Sequence, residues 1–203
     1  MAQAKNSDLK QKRGRGRPRE FDEIEVMDQA VEVFWDRGYR ATTMRELETA
    51  LEMSQPSIYN AFGSKRELLN LAIDRYESRI DDELFSILSD CDNGFDGITA
   101  FFTALEGWLE KTGGRGCLVV NLMTGDIEDP NIEARVRSYR EKIVSGFARC
   151  LSKSIEDQAL IDSRANLLLS TVVGLHLTAR TAAGDEIKHI IEGVCTQVAA
   201  WRS

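Results

Sequence analysis

The chain has 203 residues and 22.8 kDa, 42% hydrophobic and 29% charged, with a formal net charge of −7 and a pI near 5.0. That mix describes a globular chain long enough for one moderate domain or two small ones, rather than a disordered one. With 3 Pro and no series of alternating Val/Ile/Thr runs it gives an all-β fold no support. Its longest apolar stretches fall well short of the roughly 20 residues of a membrane span.

The charge is not evenly spread. Residues 1–19 hold Lys5, Lys10, Lys12, Arg13, Arg15, Arg17 and Arg19 against Asp8, a balance of +6, and the acid lies in the rest of the chain. Gly14 and Gly16 loosen this arm, and Pro18 discourages helix until Glu20. A basic, flexible arm suits the phosphates or the minor groove of DNA; a solvated tail is the alternative. The N-terminus has no apolar stretch of the kind a secretory signal needs, which points to the cytoplasm.

From Glu20 the spacing is helical. Ile24, Met27, Val31 and Phe34 form one apolar face of a helix ending at Gly38. Thr43-x-x-Glu46 reads as a capping box for a short helix to about Leu51. Ser54 caps a third helix, with Pro56 in its first turn and Phe62-Gly63 at its end. Ser64-x-x-Glu67 opens a long helix to about Leu88, roughly 24 residues or about 36 Å. Phe95 to Leu109 predicts a further helix ending at Gly113-Gly114, and Cys117 to Met123 is either a helix or a buried connection. Asp129-Pro130 starts another, running to about Cys150. Two last helices fit residues 157–182 and 185–202, separated by Gly184. The first of them is apolar on much of its circumference, so it is buried in a core or against another subunit. The fold class is all-α.

The four cysteines, Cys91, Cys117, Cys150 and Cys195, are scattered without a C-x-x-C, and His176 and His189 complete no metal spacing. No metal or cofactor is expected. The cysteines read as reduced, mostly buried thiols; the sharper alternative makes Cys117, after Gly113-Gly114-Arg115-Gly116, an accessible thiol sensor.

A capped brace helix, a short turn and a reader helix starting at small polar residues have the geometry of a helix-turn-helix. Gln55, Ser57 and Asn60 can bond base edges or phosphates, while Ile58 and Phe62, four apart, face the core. The stretch TTMRELETALEMSQPSIYNAFGSKRELL, Thr42 to Leu69, resembles the signature of the TetR family of bacterial regulators, and GGRGCLVVNLMTGD resembles a segment of one branch of them. The turn position usually held by Gly is Glu52.

That resemblance implies an Ω-shaped homodimer. The basic arm (1–19) would precede a helix-turn-helix domain (20–66) and a ligand-binding and dimerisation domain (67–203), whose last two helices pair across the two-fold axis. It implies a double-stranded palindromic operator as partner, with Thr43, Tyr59 and Lys65 on phosphates and Gln55, Pro56, Ser57 and Asn60 in the groove; Arg15 and Arg17 would serve from the arm. It also implies a small, often apolar or aromatic effector. Phe101, Phe102, Trp108, Cys117, Asn121, Met123, Tyr139, His176 and Arg180 are its candidate lining, although the helical spacing of the Phe and Trp positions favours ordinary core for any one of them. His176 has the alternative of a hydrogen-bonded helix histidine, and Arg180 that of a contact across the dimer.

The sequence has no Gly-rich phosphate loop, G-x-S-x-G or H-E-x-x-H, so no enzyme is expected. A repressor released by a small molecule is the leading expectation. The alternatives are a redox- or electrophile-sensing regulator of the same fold using Cys117 or Cys150, and a helical adaptor that binds no DNA.

Overall fold

A computed structural model describes residues 22–89, 94–124, 129–181 and 185–202. Its elements are α1 (Glu23–Ala41), α2 (Met44–Ala50), α3 (Gln55–Phe62), α4 (Lys65–Ile80), a π-helical turn (Asp81–Phe85), α5 (Ser86–Ser89), α6 (Gly94–Lys111), α7 (Leu118–Thr124), α8 (Pro130–Leu151), α9 (Gln158–Thr178) and α10 (Glu186–Ala200). No strand occurs among the described residues, as expected of an all-α chain. The basic arm with Arg15 and Arg17 lies outside them, as do Cys91 and Gly184.

Local chemistry sets the helix boundaries. The Asp22 carboxylate accepts from the Ile24 amide at 2.9 Å to open α1, and the helix breaks at Gly38, where φ is +74°. Both expected capping boxes form. Glu46 Oε2 accepts from the Thr43 amide at 2.8 Å, and Glu67 Oε2 from the Ser64 amide at 2.6 Å. These bonds to the ionised form hold both carboxyls below the ordinary glutamate range. Ser54 caps α3 through the Ser57 amide.

The long helix is real but not uniform. From Lys65 to Ser89 it is continuous, with the π turn in its path. The wider turn lets the adjacent Leu84 and Phe85 both face inward, which strict α geometry disfavours. The segment left open between helix and buried connection, Leu118–Thr124, is a helix.

Helix α1 packs along α4, α8 along α9, and α6 along α10, while α7 reaches α1, α8 and α9. One hydrophobic core therefore runs from Val26 to Val198 without interruption. Its centre is aromatic: Phe101 meets Phe147 at 5.2 Å and Phe102 at 5.6 Å between ring centroids, both edge to face.

Glu52 sits at the α2–α3 turn with φ +50°, the non-glycine residue with positive φ among those described. Its Cβ makes that conformation costly, so Glu52→Gly should raise stability by about 0.5–1 kcal/mol. Urea denaturation of the two proteins at pH 7 measures this; an unchanged or lower midpoint would mean the turn carries no strain.

Candidate nucleic-acid interface and effector region

The α2–α3 pair is braced from within. Glu48 of α2 reaches over the turn, its Oε1 accepting from the Gln55 amide at 2.6 Å. That contact satisfies one of the free amides at the start of α3 and fixes the two helices at one angle. Ile58 and Phe62 are buried beneath α3, leaving Pro56, Ser57, Tyr59 and Asn60 exposed on its outer face; Gln55 is half-buried. The Ser57 hydroxyl bonds that of Ser54 at 2.8 Å, so it reaches a base or phosphate only by keeping or exchanging that bond.

The flanking cations are held in place. Lys65 Nζ sits 4.5 Å from the centre of the Tyr39 ring, and partial burial lowers its pKa. Arg37 pairs with Glu46 at 2.8 Å, and Arg66 with Asp129 at 2.9 Å. Asp129 is itself buried and caps α8 through the Asn131 amide at 3.0 Å, so the start of α4 is pinned to the start of α8. Thr43 is exposed, its hydroxyl donating to Glu46.

Three cations also tie α1 to the rest. Asp28, Glu32 and Asp36 lie one turn apart on α1. Arg75 grips Asp28 with two bonds of 2.8 Å, Arg79 lies 3.6 Å from Glu32, and Arg115 bonds Glu32 at 2.5 Å and Asp36 at 3.0 Å. The Arg115 guanidinium also covers the Trp35 ring at 4.3 Å.

The candidate effector residues divide into two groups. Phe101 and Phe102 belong to the sealed aromatic centre with Phe147. Cys117, Asn121, Tyr139, His176 and Arg180 gather around the turn from Gly113 to Cys117. Cys117 Sγ lies 3.5 Å from the Tyr139 hydroxyl, Asn121 donates to the Arg115 carbonyl at 3.0 Å, and Arg180 approaches the Asn121 side chain at 3.4 Å. Gly116 lies so close to α9 that an added Cβ would stand 2.5 Å from the His176 carbonyl oxygen. Trp108 joins Trp35 and Tyr76 instead, and Met123 is exposed. A separate groove of about 340 Å³ between α4 and α8 is lined by Asp74, Glu77, Asp81, Arg135 and Lys142.

Several expectations need correction. Cys117 is fully buried, not accessible, and burial pushes its thiol above the ordinary range. It is therefore protonated at neutral pH and lacks the reactive form a thiol sensor needs. Cys150 is disulfide-bonded rather than reduced, and Cys195 is half-buried. His176 is not hydrogen-bonded through Nδ1, and burial lowers its pKa to about 4. Among the described residues no group of His, Cys, Asp and Glu could hold a metal ion.

Residues 26–72 match the family model for bacterial regulatory proteins of the tetR family. The chain is 28% identical over 191 residues to the transcriptional repressor ComR of Escherichia coli K12, an alignment spanning 86% of this chain and 87% of ComR. Its fold superposes on that of CifR, a TetR-family regulator solved as a cysteine mutant with 26 bp of operator DNA. The TM-score is 0.77 at 25% identity, covering 91% of this chain and all of that one. Residues 26–72 form a domain of the TetR family. The fold is also that of AibR, solved with isovaleryl coenzyme A and operator DNA, at a TM-score of 0.64 and 17% identity, over 85% of this chain and 95% of AibR. No described helix is long and apolar enough to cross a membrane.

Within this TetR-family head, sequence reasoning missed Arg45 and Glu48. Arg45 stands exposed in the first turn of α2, its guanidinium without a partner among the described residues. A cation at a helix N-terminus opposes the macrodipole, and that mismatch was the available signal. Glu48 gave no signal, because its bond to Gln55 depends on the turn geometry.

His176 yields a pH prediction. Its folded pKa, about 4, lies below the ordinary 6.5, so the unfolded chain takes the proton first. Stability is then full above about pH 6.5 and falls toward pH 4, by up to about 3 kcal/mol. His176→Leu should flatten this part of the profile in urea denaturation at pH 4.5 and 7; an unchanged profile would show that His176 is not its source.

Proposed function

We propose that the chain is a homodimeric, sequence-specific repressor that leaves a palindromic operator when a small molecule binds its body. The observation that carries this reading is the α2–α3 pair: a braced turn, two apolar residues anchoring α3, and a row of polar side chains turned outward. Such a helix fits the major groove, and its N-terminal residues meet base edges. ComR is a repressor, CifR was solved on operator DNA, and AibR was solved with both ligand and DNA, which supports the same assignment.

In this reading Asn60, Gln55 and Ser57 contact bases, with Pro56 against the groove wall. Tyr59, Thr43, Lys65 and Arg45 hold phosphates. The arm, with Arg15 and Arg17, follows the backbone or the minor groove. Residues 20–66 form the reading head and 67–203 the ligand-binding and dimerisation body, in a protein that works in the cytoplasm at the nucleoid and catalyses nothing.

Dimerisation through α9 and α10 is supported by an outward stripe on α9. Leu160, Leu167 and Leu177 are exposed there, and Ser163, Ser170 and Gly174 keep the spaces between them small. A leucine row with small residues lets a second helix approach closely. Two copies so joined set the distance between reader helices, and an effector that prefers another distance lowers operator affinity by its preference.

Binding of the full-length protein to a palindrome from upstream of its own gene, across a range of salt, tests the assignment. Asn60→Ala should cost about 1–3 kcal/mol and relax specificity at one position. Lys65→Ala and Arg45→Ala should weaken all sequences alike and reduce the salt slope by about 1 each. Absence of any sequence preference would overturn the assignment.

The dimer has its own test. Leu167→Glu should turn the dimer into monomers in sedimentation velocity and abolish tight operator binding. A dimer that survives this substitution would move the interface elsewhere.

A further inference from the structure

The largest unexplained feature lies where head and body meet. Trp35 of α1, Tyr76 of α4 and Trp108 of α6 form one aromatic cluster, with centroid distances of 4.8 Å for Trp35–Tyr76 and 6.4 Å for both Trp35–Trp108 and Tyr76–Trp108. Each carries a polar atom shut off from solvent without a well-formed hydrogen bond: Nε1 of both tryptophans and the Tyr76 hydroxyl. The Tyr76 hydroxyl is directed at the Cys117 thiol and the Leu118 amide, and the Tyr139 hydroxyl meets the same thiol.

Buried donors are rarely left idle, because each loses its bonds to water and regains nothing. Three in contact concentrate that cost at one place, and at Tyr76 phenylalanine would fill the same space without it. An indole N–H donates and cannot accept, so whatever satisfies Trp35 and Trp108 must bring an acceptor. The surrounding rings favour a flat, aromatic body behind it.

The charges nearby decide between a neutral and an anionic acceptor. Arg115, over the Trp35 face, is already matched by Glu32 and Asp36, and Arg79, beside Tyr76, by Glu32 and Asp28. From the α4–α8 side Glu77 faces Tyr139, with Arg135 bonded to it and to Asp74. Among the described residues no unmatched cation is left at the junction to receive a carboxylate, so desolvating one there would be costly.

We propose that the Trp35–Tyr76–Trp108 junction is the recognition site for a neutral aromatic ligand bearing a carbonyl oxygen, which accepts from the indole N–H groups and the Tyr76 hydroxyl. This rests on the reading that the body takes a small effector, and it moves the point of contact to the head itself. A ligand there touches α1, α4 and α6 at once. Entry requires the rings to part, and the wall that can give is the turn after α6, where Gly113, Gly114 and Gly116 all have positive φ. Two of the three residues, Trp35 and Tyr76, lie outside the lining that sequence reasoning assembled.

The probe is acetophenone, with ethylbenzene and benzoate as shape-matched competitors lacking the carbonyl or carrying charge. In a Trp201→Phe background the intrinsic fluorescence reports Trp35 and Trp108 alone. Saturable quenching by acetophenone is expected, with ethylbenzene and benzoate competing at least tenfold more weakly. Tyr76→Phe, which keeps the ring, and Trp108→Phe, which stays aromatic but removes the indole N–H, should each weaken acetophenone binding five- to tenfold. Non-saturable quenching, equal competition by ethylbenzene or benzoate, or wild-type affinity in both variants would overturn the proposal. Operator binding measured on the same proteins without acetophenone separates the two failures: a protein that reads its palindrome yet ignores acetophenone loses this site and keeps its function.

Discussion

The acidic stripe on α1 governs how the rest of the molecule is arranged. Asp28, Glu32 and Asp36 are stacked one turn apart and repel one another unless cations are brought to them. Arg75 and Arg79, also one turn apart on α4, meet the first two, and Arg115 from the α6–α7 turn meets the last two. All of these groups are partly exposed, so each pair contributes about 0.2–1 kcal/mol at most. Burying Phe34 or Trp35 on the same helix is worth roughly 1.5–3 kcal/mol each. The apolar face therefore holds α1 down, and the charges decide where along α4 it sits. Two arginines on one helix would tolerate a slip of one turn. The third, fixed to another element, does not.

The other side of α4 is tied just as firmly. Arg135 of α8 bonds Asp74 at 2.5 Å and Glu77 at 3.1 Å, Lys142 pairs with Asp81, and Arg66 meets Asp129 where α8 begins. Desolvation raises the Glu77 pKa despite the Arg135 partner, a sign of how closely the two helices approach there. With α1 on one side and α8 on the other, α4 cannot shift alone, and any rearrangement of α8 must carry the reading head with it. The π turn interrupts this continuity between Ile80 and Ser86, placing Phe85 against Tyr139 at 5.7 Å between ring centroids. Motion above that turn is thereby separable from motion below it.

What the sequence made legible follows the range of the interactions. Capping boxes, the Gly38 break and the Pro130 start involve residues within four positions of one another, and those boundaries were readable. The helix-turn-helix was readable for the same reason, while the sequence marked Glu52 only as a position where Gly is usual, and its left-handed conformation came from the structure. The π turn was not, because it is decided by Leu84 and Phe85 both reaching the core. The Arg115–Glu32 contact joins residues 83 positions apart, and nothing in either segment announces the other. Trp108 was singled out as a candidate lining residue, but its partners Trp35 and Tyr76 come from elements read as head and linker. Cys117 misled because neighbouring glycines suggest exposure. Here they serve close packing instead, Gly114 and Gly116 bringing the turn against the end of α9.

The acidity of the chain also has a physical account. Close to the reader, Arg37 is occupied by Glu46, Arg66 by Asp129, and Lys65 is drawn onto Tyr39. A head with so little free positive charge attracts any DNA weakly through phosphates alone, and non-specific affinity comes mostly from phosphate neutralisation. In the proposed reading that attraction comes from the arm, with its balance of +6. In that reading long-range capture falls to residues that read little, and discrimination to neutral side chains on α3 that attract nothing at a distance. An acidic body sharpens this division, since it repels DNA wherever the head is not correctly seated.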